Sequence, residues 1–184
     1  MKRILLLTLL SIVGVVLRAQ FKLTPNDGLK TEEGAYTIKR AQSELENYRA
    51  AMKVVKEIVP NAAIEEPEFE KVFTVRAETV IKMKVAGMFK AVNWTAEYML
   101  KIEAAENEII VSFEKLGNFE HRKKNGTVDA IIRPYTGHNS FWNQTFNSEY
   151  SLFNSSGDLK APKAAAAIES WANCLVRQIE ESLK

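Results

Sequence analysis

Between Trp94 and Ala104 every second residue is apolar: Trp94, Ala96, Tyr98, Leu100, Ile102 and Ala104. A short, mainly polar stretch follows, and the alternation resumes with Ile109, Val111 and Phe113. A period of two is the repeat of a strand, whose successive side chains point to opposite faces. The segment therefore predicts an antiparallel hairpin with one apolar face. Its turn falls at "AAEN", where Asn107 tolerates a positive φ. Thr95, Glu97, Lys101 and Glu103 fall on the opposite face, with Met99 the exception.

The same period runs earlier. Phe73, Val75, Ala77, Thr79, Ile81, Met83 and Val85 share one parity. That run is long for one ordinary strand, so it predicts either two strands split near "AET" or one long bent strand. "AYTIKR" at 35–40 and "GTVDAIIRPY" at 126–135 predict two more strands. Two segments switch to a period of three to four. In the first, Ser43 followed by Glu46 forms a capping-box pattern, Leu45, Tyr48, Met52, Val55 and Val59 make a stripe, and Pro60 ends the helix. In the second, Pro162 suits a first turn, and Ile168, Trp171, Ala172, Leu175, Ile179 and Leu183 make the stripe. One-faced strands and two amphipathic helices predict an α+β fold. Its economical form is an antiparallel sheet of about five to six strands with both helices packed on one face, a two-layer sandwich.

The chain opens with Lys2 and Arg3, an apolar run from Ile4 to Leu17, and Ala19 as a small residue at a cleavage point. That is the anatomy of a secretory signal peptide, and the run is short of the roughly 20 residues of a spanning helix. Cleavage after Ala19 is expected, with export to a periplasm or cell surface and no membrane span afterwards. It removes three bases and no acid, leaving 22 bases against 23 acids and a formal charge of −1. A near-neutral chain lacks the basic footprint of a nucleic-acid binder. The remaining 165 residues suit one domain, read as 35–184 after a flexible lead-in at 20–34. Cys174 is the sole cysteine, so no intrachain disulfide forms.

With these patterns in place, the chain resembles a family of small exported proteins of Gram-negative gut bacteria, a domain of unknown function with a TATA-binding-protein-like fold. The resemblance spans roughly 35–182. It rests on the strand followed by "SELENYRAAMKVV", on "TVIKMKVAGMFK", on the "YMLKIE…NEIIVSFEKL" hairpin and on the last amphipathic helix. It implies the fold alone: no DNA binding follows from a fold, and no catalytic residues carry over.

Candidate sites are few. Tyr135, His138, Asn139, Phe141, Trp142, Asn143, Phe146 and Tyr150 combine aromatic faces with amides and hydroxyls, the mixture found where glycans or peptides are recognised. Within this stretch Tyr135, His138, Asn139, Trp142 and Asn143 are the candidate ligand-binding set. The other reading is that Phe141, Phe146 and Phe153 plug the edge of the core. His121, His138 and Cys174 lack neighbours at metal-ligand or nucleophile spacing. Glu65, Glu66, Glu68 and Glu70 form an acidic clump that reads as solvated surface. "HRKKNG" at 121–126 reads as a solvated loop. No phosphate-binding loop, Gly-x-Ser-x-Gly or His-Glu-x-x-His appears, and neither a cofactor nor a metal is expected. The sequence therefore points to a binding or interaction module of the bacterial envelope, for a glycan, a peptide or an envelope protein. An envelope hydrolase and an accessory subunit of an envelope assembly are the alternatives.

Overall fold

The computed structural model describes residues 20–67, 71–85, 90–134 and 148–184. The signal peptide expected at 1–19 lies outside them. In chain order the described elements are β1 (Lys22–Thr24), β2 (Gly28–Lys30), β3 (Tyr36–Lys39), α1 (Glu44–Ile58), β4 (Ala63–Glu65), β5 (Val72–Met83), β6 (Val92–Ala105), β7 (Glu108–Leu116), β8 (Phe119–Arg122), β9 (Val128–Arg133), β10 (Ser148–Ser151) and α2 (Pro162–Ser182).

Eight strands form the main sheet among the described residues, more than the five to six expected. The order β10-β9-β8-β6-β5-β4 makes its long path, and β7 joins β6 to β3. All pairs are antiparallel except β9 with β10. The added strands, β4, β8 and β10, are only three or four residues long. Too few alternations fit in such lengths to show a period.

The central pair is β5 and β6. β5 is one continuous strand of 12 residues, not two, because β6 is as long and pairs with all of it from Val72↔Glu103 to Met83↔Val92. The register sets inward residues opposite one another: Phe73 faces Ile102, Val75 faces Leu100, Ala77 faces Tyr98 and Ile81 faces Trp94. These eight side chains are buried. Each fully buried large apolar side chain contributes about 1.5–3 kcal/mol, so a one-residue slip that exposed this face would cost roughly 10–20 kcal/mol, enough to offset the fold's net stability. The β6–β7 turn has Asn107 at φ 64°, as its position in "AAEN" requires.

Both helices cover the apolar face. α1 packs on β6 and β7, and α2 packs on β5. Tyr48 of α1 stands edge-on to Phe73 at 5.7 Å, while Trp171 of α2 packs against Tyr98 at 5.0 Å and Phe113 at 5.7 Å. The Ser43–Glu46 capping box is formed in both directions. The expected α1 stripe is rotated, however. Leu45 is 43% exposed, whereas Asn47, a polar residue, is fully buried. Its amide explains why. Asn47 Nδ2 donates to the carbonyls of Ala105 (2.9 Å) and Gln42 (3.3 Å), and Oδ1 accepts from Arg40 (3.2 Å). A buried amide with partners on both the 40–42 segment and β6 stitches the start of α1 to the β6–β7 turn.

The lead-in read as flexible is instead a packed hairpin. β1 pairs with β2 around Gly28 at φ 73°, and Phe21 and Leu29 are buried. Asn173 of α2 clamps Phe21 from both sides: the Phe21 N–H donates to Oδ1 (2.8 Å), and Nδ2 donates to the Phe21 carbonyl (3.0 Å). The loop expected at 121–126 is partly strand, since His121 and Arg122 belong to β8. The turn at Asn125–Gly126 is kept, with Gly126 at φ 85°.

Candidate functional site

The alternation that buries one face of β5 and β6 also places two hydroxyl-bearing residues on that face. Thr79 and Tyr98 lie on the inward parity and are 8% and 4% exposed. Neither hydroxyl has a protein hydrogen-bond partner among the described residues, and neither oxygen is sealed from solvent. Burial pushes the Tyr98 phenol up to about 12, with no hydrogen bond contributing. It is a proton donor throughout the neutral range.

Both residues line a cleft of about 660 Å³. Its walls are Ile58 and Val59 at the end of α1, Trp171 and Leu175 of α2, and Ala77 on β5, with the amides of Asn61 and Gln178 also lining it. The opening has a simple cause. Pro60 follows the end of α1, and the sheet beneath carries small side chains, with Ala77 and Thr79 on β5 and Ala96 opposite Thr79 on β6. Large residues at those points would fill the gap, as Phe73 and Ile81 do to either side. Apolar walls with a few convergent polar groups are the usual make-up of a ligand pocket, and this volume falls in the usual range of about 300–1,000 Å³.

The cleft also runs along the rim of the sheet. β4 pairs only with Thr74, Val75 and Arg76 of β5. From Ala77 to Met83, β5 has a strand neighbour on one side only among the described residues. Arg76, Glu78 and Val80 border the cleft there, and Val80 is 60% exposed.

A second groove, of about 550 Å³, lies along α2 beside the first described residues. Cys174 is half-buried in its wall. The surrounding groups are already engaged: Lys22 pairs with Glu169 at 3.2 Å, the Tyr36 hydroxyl donates to Glu180 at 2.8 Å, and Asn173 holds Phe21. Among the described residues no histidine lines it. This groove is where the β1–β2 hairpin is moored.

The residues singled out in the sequence fall as follows. Tyr135, His138, Asn139, Phe141, Trp142, Asn143 and Phe146 lie outside the described residues. Phe153 is buried in the core, and Tyr150 stands edge-on to the buried Trp94 at 6.2 Å. These two side chains serve packing. His121 on β8 rests its ring against Trp94, and its Nδ1 lies 3.0 Å from the Asn93 carbonyl, which can only accept. That nitrogen therefore carries the proton. Of the acidic clump, Glu65 pairs with Arg76 at 3.6 Å and Glu66 accepts from the Tyr48 hydroxyl at 2.6 Å, while Glu68 and Glu70 lie outside the described residues. Among the described residues no three His, Cys, Asp or Glu side chains are grouped to hold a metal ion.

No family model and no curated protein matches this sequence. Its fold does match solved structures. A DUF4468 family protein from Bacteroides ovatus superposes with a TM-score of 0.55 at 11% identity, over 81% of this chain and 84% of that one. A TBP-like protein from Parabacteroides distasonis superposes with a TM-score of 0.52 at 11% identity, over 82% of this chain and 92% of that one. At that identity the likeness concerns fold alone, and it agrees with the resemblance read from the strand and helix pattern. The chain thus has an α+β fold of the TBP-like kind shared by these two bacterial proteins.

Proposed function

We propose that this chain is an exported binding module whose ligand site is the cleft between the end of α1, the middle of β5 and α2. The ligand class it fits best is a peptide segment. The carrying observation is the pair of hydroxyls of Tyr98 and Thr79, which have no protein hydrogen-bond partner among the described residues and line a cleft with apolar walls. A cleft hydroxyl without a protein partner exchanges water for a ligand acceptor at little cost. A peptide carbonyl is such an acceptor. The amides of Asn61 and Gln178 match the donor and acceptor of a peptide bond, and Ile58, Trp171 and Leu175 offer a wall for one apolar side chain. Export rests on the first 19 residues and places the partner in the envelope or outside the cell.

The test is a titration of the protein, labelled with ¹⁵N in its tryptophan indoles, with a set of blocked dipeptides. Those with an apolar side chain should move the Trp171 indole signal saturably and leave the signal of Trp94, which is buried and does not line the cleft, in place. If no dipeptide moves Trp171, the peptide reading is wrong.

A further inference from the structure

The exposed rim of β5, which borders the cleft, has a further property of its own. The stretch without an outer neighbour among the described residues runs from Ala77 to Met83, and its midpoint is Val80. Val80 is exposed, and the next outward residues on either side are Glu78 and Lys82, also exposed. Neither charge is in an ion pair among the described residues. On its inner side Glu78 lies directly opposite Glu97 of β6, a like-charge pair, and such pairs weaken a sheet.

From this arrangement we infer that the open edge of β5 pairs antiparallel with the same edge of a second copy of this chain, about a two-fold axis at Val80. In that register Val80 meets Val80 of the second copy. Glu78 meets its Lys82, and Lys82 meets its Glu78, so both outward charges gain an opposite partner at once. Residues directly opposite in an antiparallel pair share a face, so the outward set meets the outward set and the inward set the inward set. Other registers lose this match. Centring the pair one residue away sets Val80 against a charge. Centring it two residues away sets Glu78 on Glu78 or Lys82 on Lys82. Length also fits: Met83, the last residue of β5, falls opposite Ala77, the first residue beyond β4. The pairing makes one sheet continuous across the two copies, and it satisfies edge groups that otherwise template uncontrolled association.

This inference does not rest on the peptide reading. The test is sedimentation equilibrium of the purified chain and of charge variants, with circular dichroism to confirm that each is folded. The unsubstituted chain should dimerise with concentration. Glu78→Lys alone and Lys82→Glu alone should each weaken the dimer about tenfold or more, because symmetry repeats each like-charge contact twice. The double variant E78K/K82E should restore it, and an equimolar mixture of the two single variants should form a mixed dimer. A chain that stays monomeric at every concentration, a dimer indifferent to both single reversals, or a double variant that fails to recover would each overturn the proposal. Failure of dipeptides to move Trp171 would leave these results unchanged, so the two readings fail separately.

Discussion

Replacing Tyr98 by Phe should make the protein more stable. Tyr98 is 4% exposed, its ring packs on Trp171 and Phe113, and its hydroxyl has no hydrogen-bond partner among the described residues. Phe keeps the ring contacts and removes a hydroxyl that is partly desolvated without a protein partner among the described residues. Protein mutational data put that cost at about 1–3 kcal/mol. The hydroxyl lines the cleft and is not sealed in the core, so the lower end applies, about 1 kcal/mol. For a domain of this size that is a rise in Tm of about 2–4 °C. A thermal melt at neutral pH followed by circular dichroism reads it. The advantage should widen at alkaline pH. The folded-state phenol is raised to about 12 from an ordinary 10, so the unfolded chain ionises first. The stability Tyr98 contributes is intact below about pH 10 and is lost as pH rises toward 12. The Phe variant has no such loss at this position. Tyr48, whose phenol burial and its bond to Glu66 also raise to about 12, is common to both proteins and cancels in the difference. A Phe variant that melts several degrees lower would show that the hydroxyl has a structural partner, and the argument for an unfilled site would fall with it.

Two further substitutions test the framework that holds the cleft. Asn47→Ala should cost about 2–4 kcal/mol in urea denaturation, because it leaves the Ala105 and Gln42 carbonyls and the Arg40 guanidinium without their shared partner. A loss under about 0.5 kcal/mol, the range of an ordinary surface change, would refute the stitching role. Asn173→Ala should cost about 1–2 kcal/mol and speed amide exchange at Phe21 and Leu23 more than at β5 or β6, since the β1–β2 hairpin loses its clamp. Unchanged exchange at Phe21 would show that burial of its ring, and not the amide, holds the segment.

The architecture was legible where apolar residues recur often enough to set a period. Trp94 to Ala104 and Phe73 to Met83 show it, and so do the α2 stripe and the capping box at Ser43. Asn47 was not legible, because a pattern counted in apolar residues passes over a polar residue buried by its hydrogen bonds. The β1–β2 hairpin left a trace in "NDG", a turn signal with three residues on each side. Three residues are too few to alternate, so the turn was visible and the strands were not. The cleft is a different case. Thr79 and Tyr98 were read correctly as inward residues, but their lack of partners depends on where α1 stops and how small Ala77 and Ala96 are across the sheet. Those relations exist only once the strands are in register. The open edge is likewise a product of strand order: the length of β4 decides which part of β5 remains unpaired.

The claim that the cleft receives a peptide through its two hydroxyls is tested most directly by an affinity comparison. The dipeptide that moves the Trp171 signal most should be titrated into the unsubstituted protein and into Tyr98→Phe under identical conditions. A hydrogen bond from Tyr98 to the ligand is worth about 0.5–1.5 kcal/mol net, so the account predicts binding about 3- to 10-fold weaker in the Phe variant, with the fold intact. Equal affinity in the two proteins would contradict it.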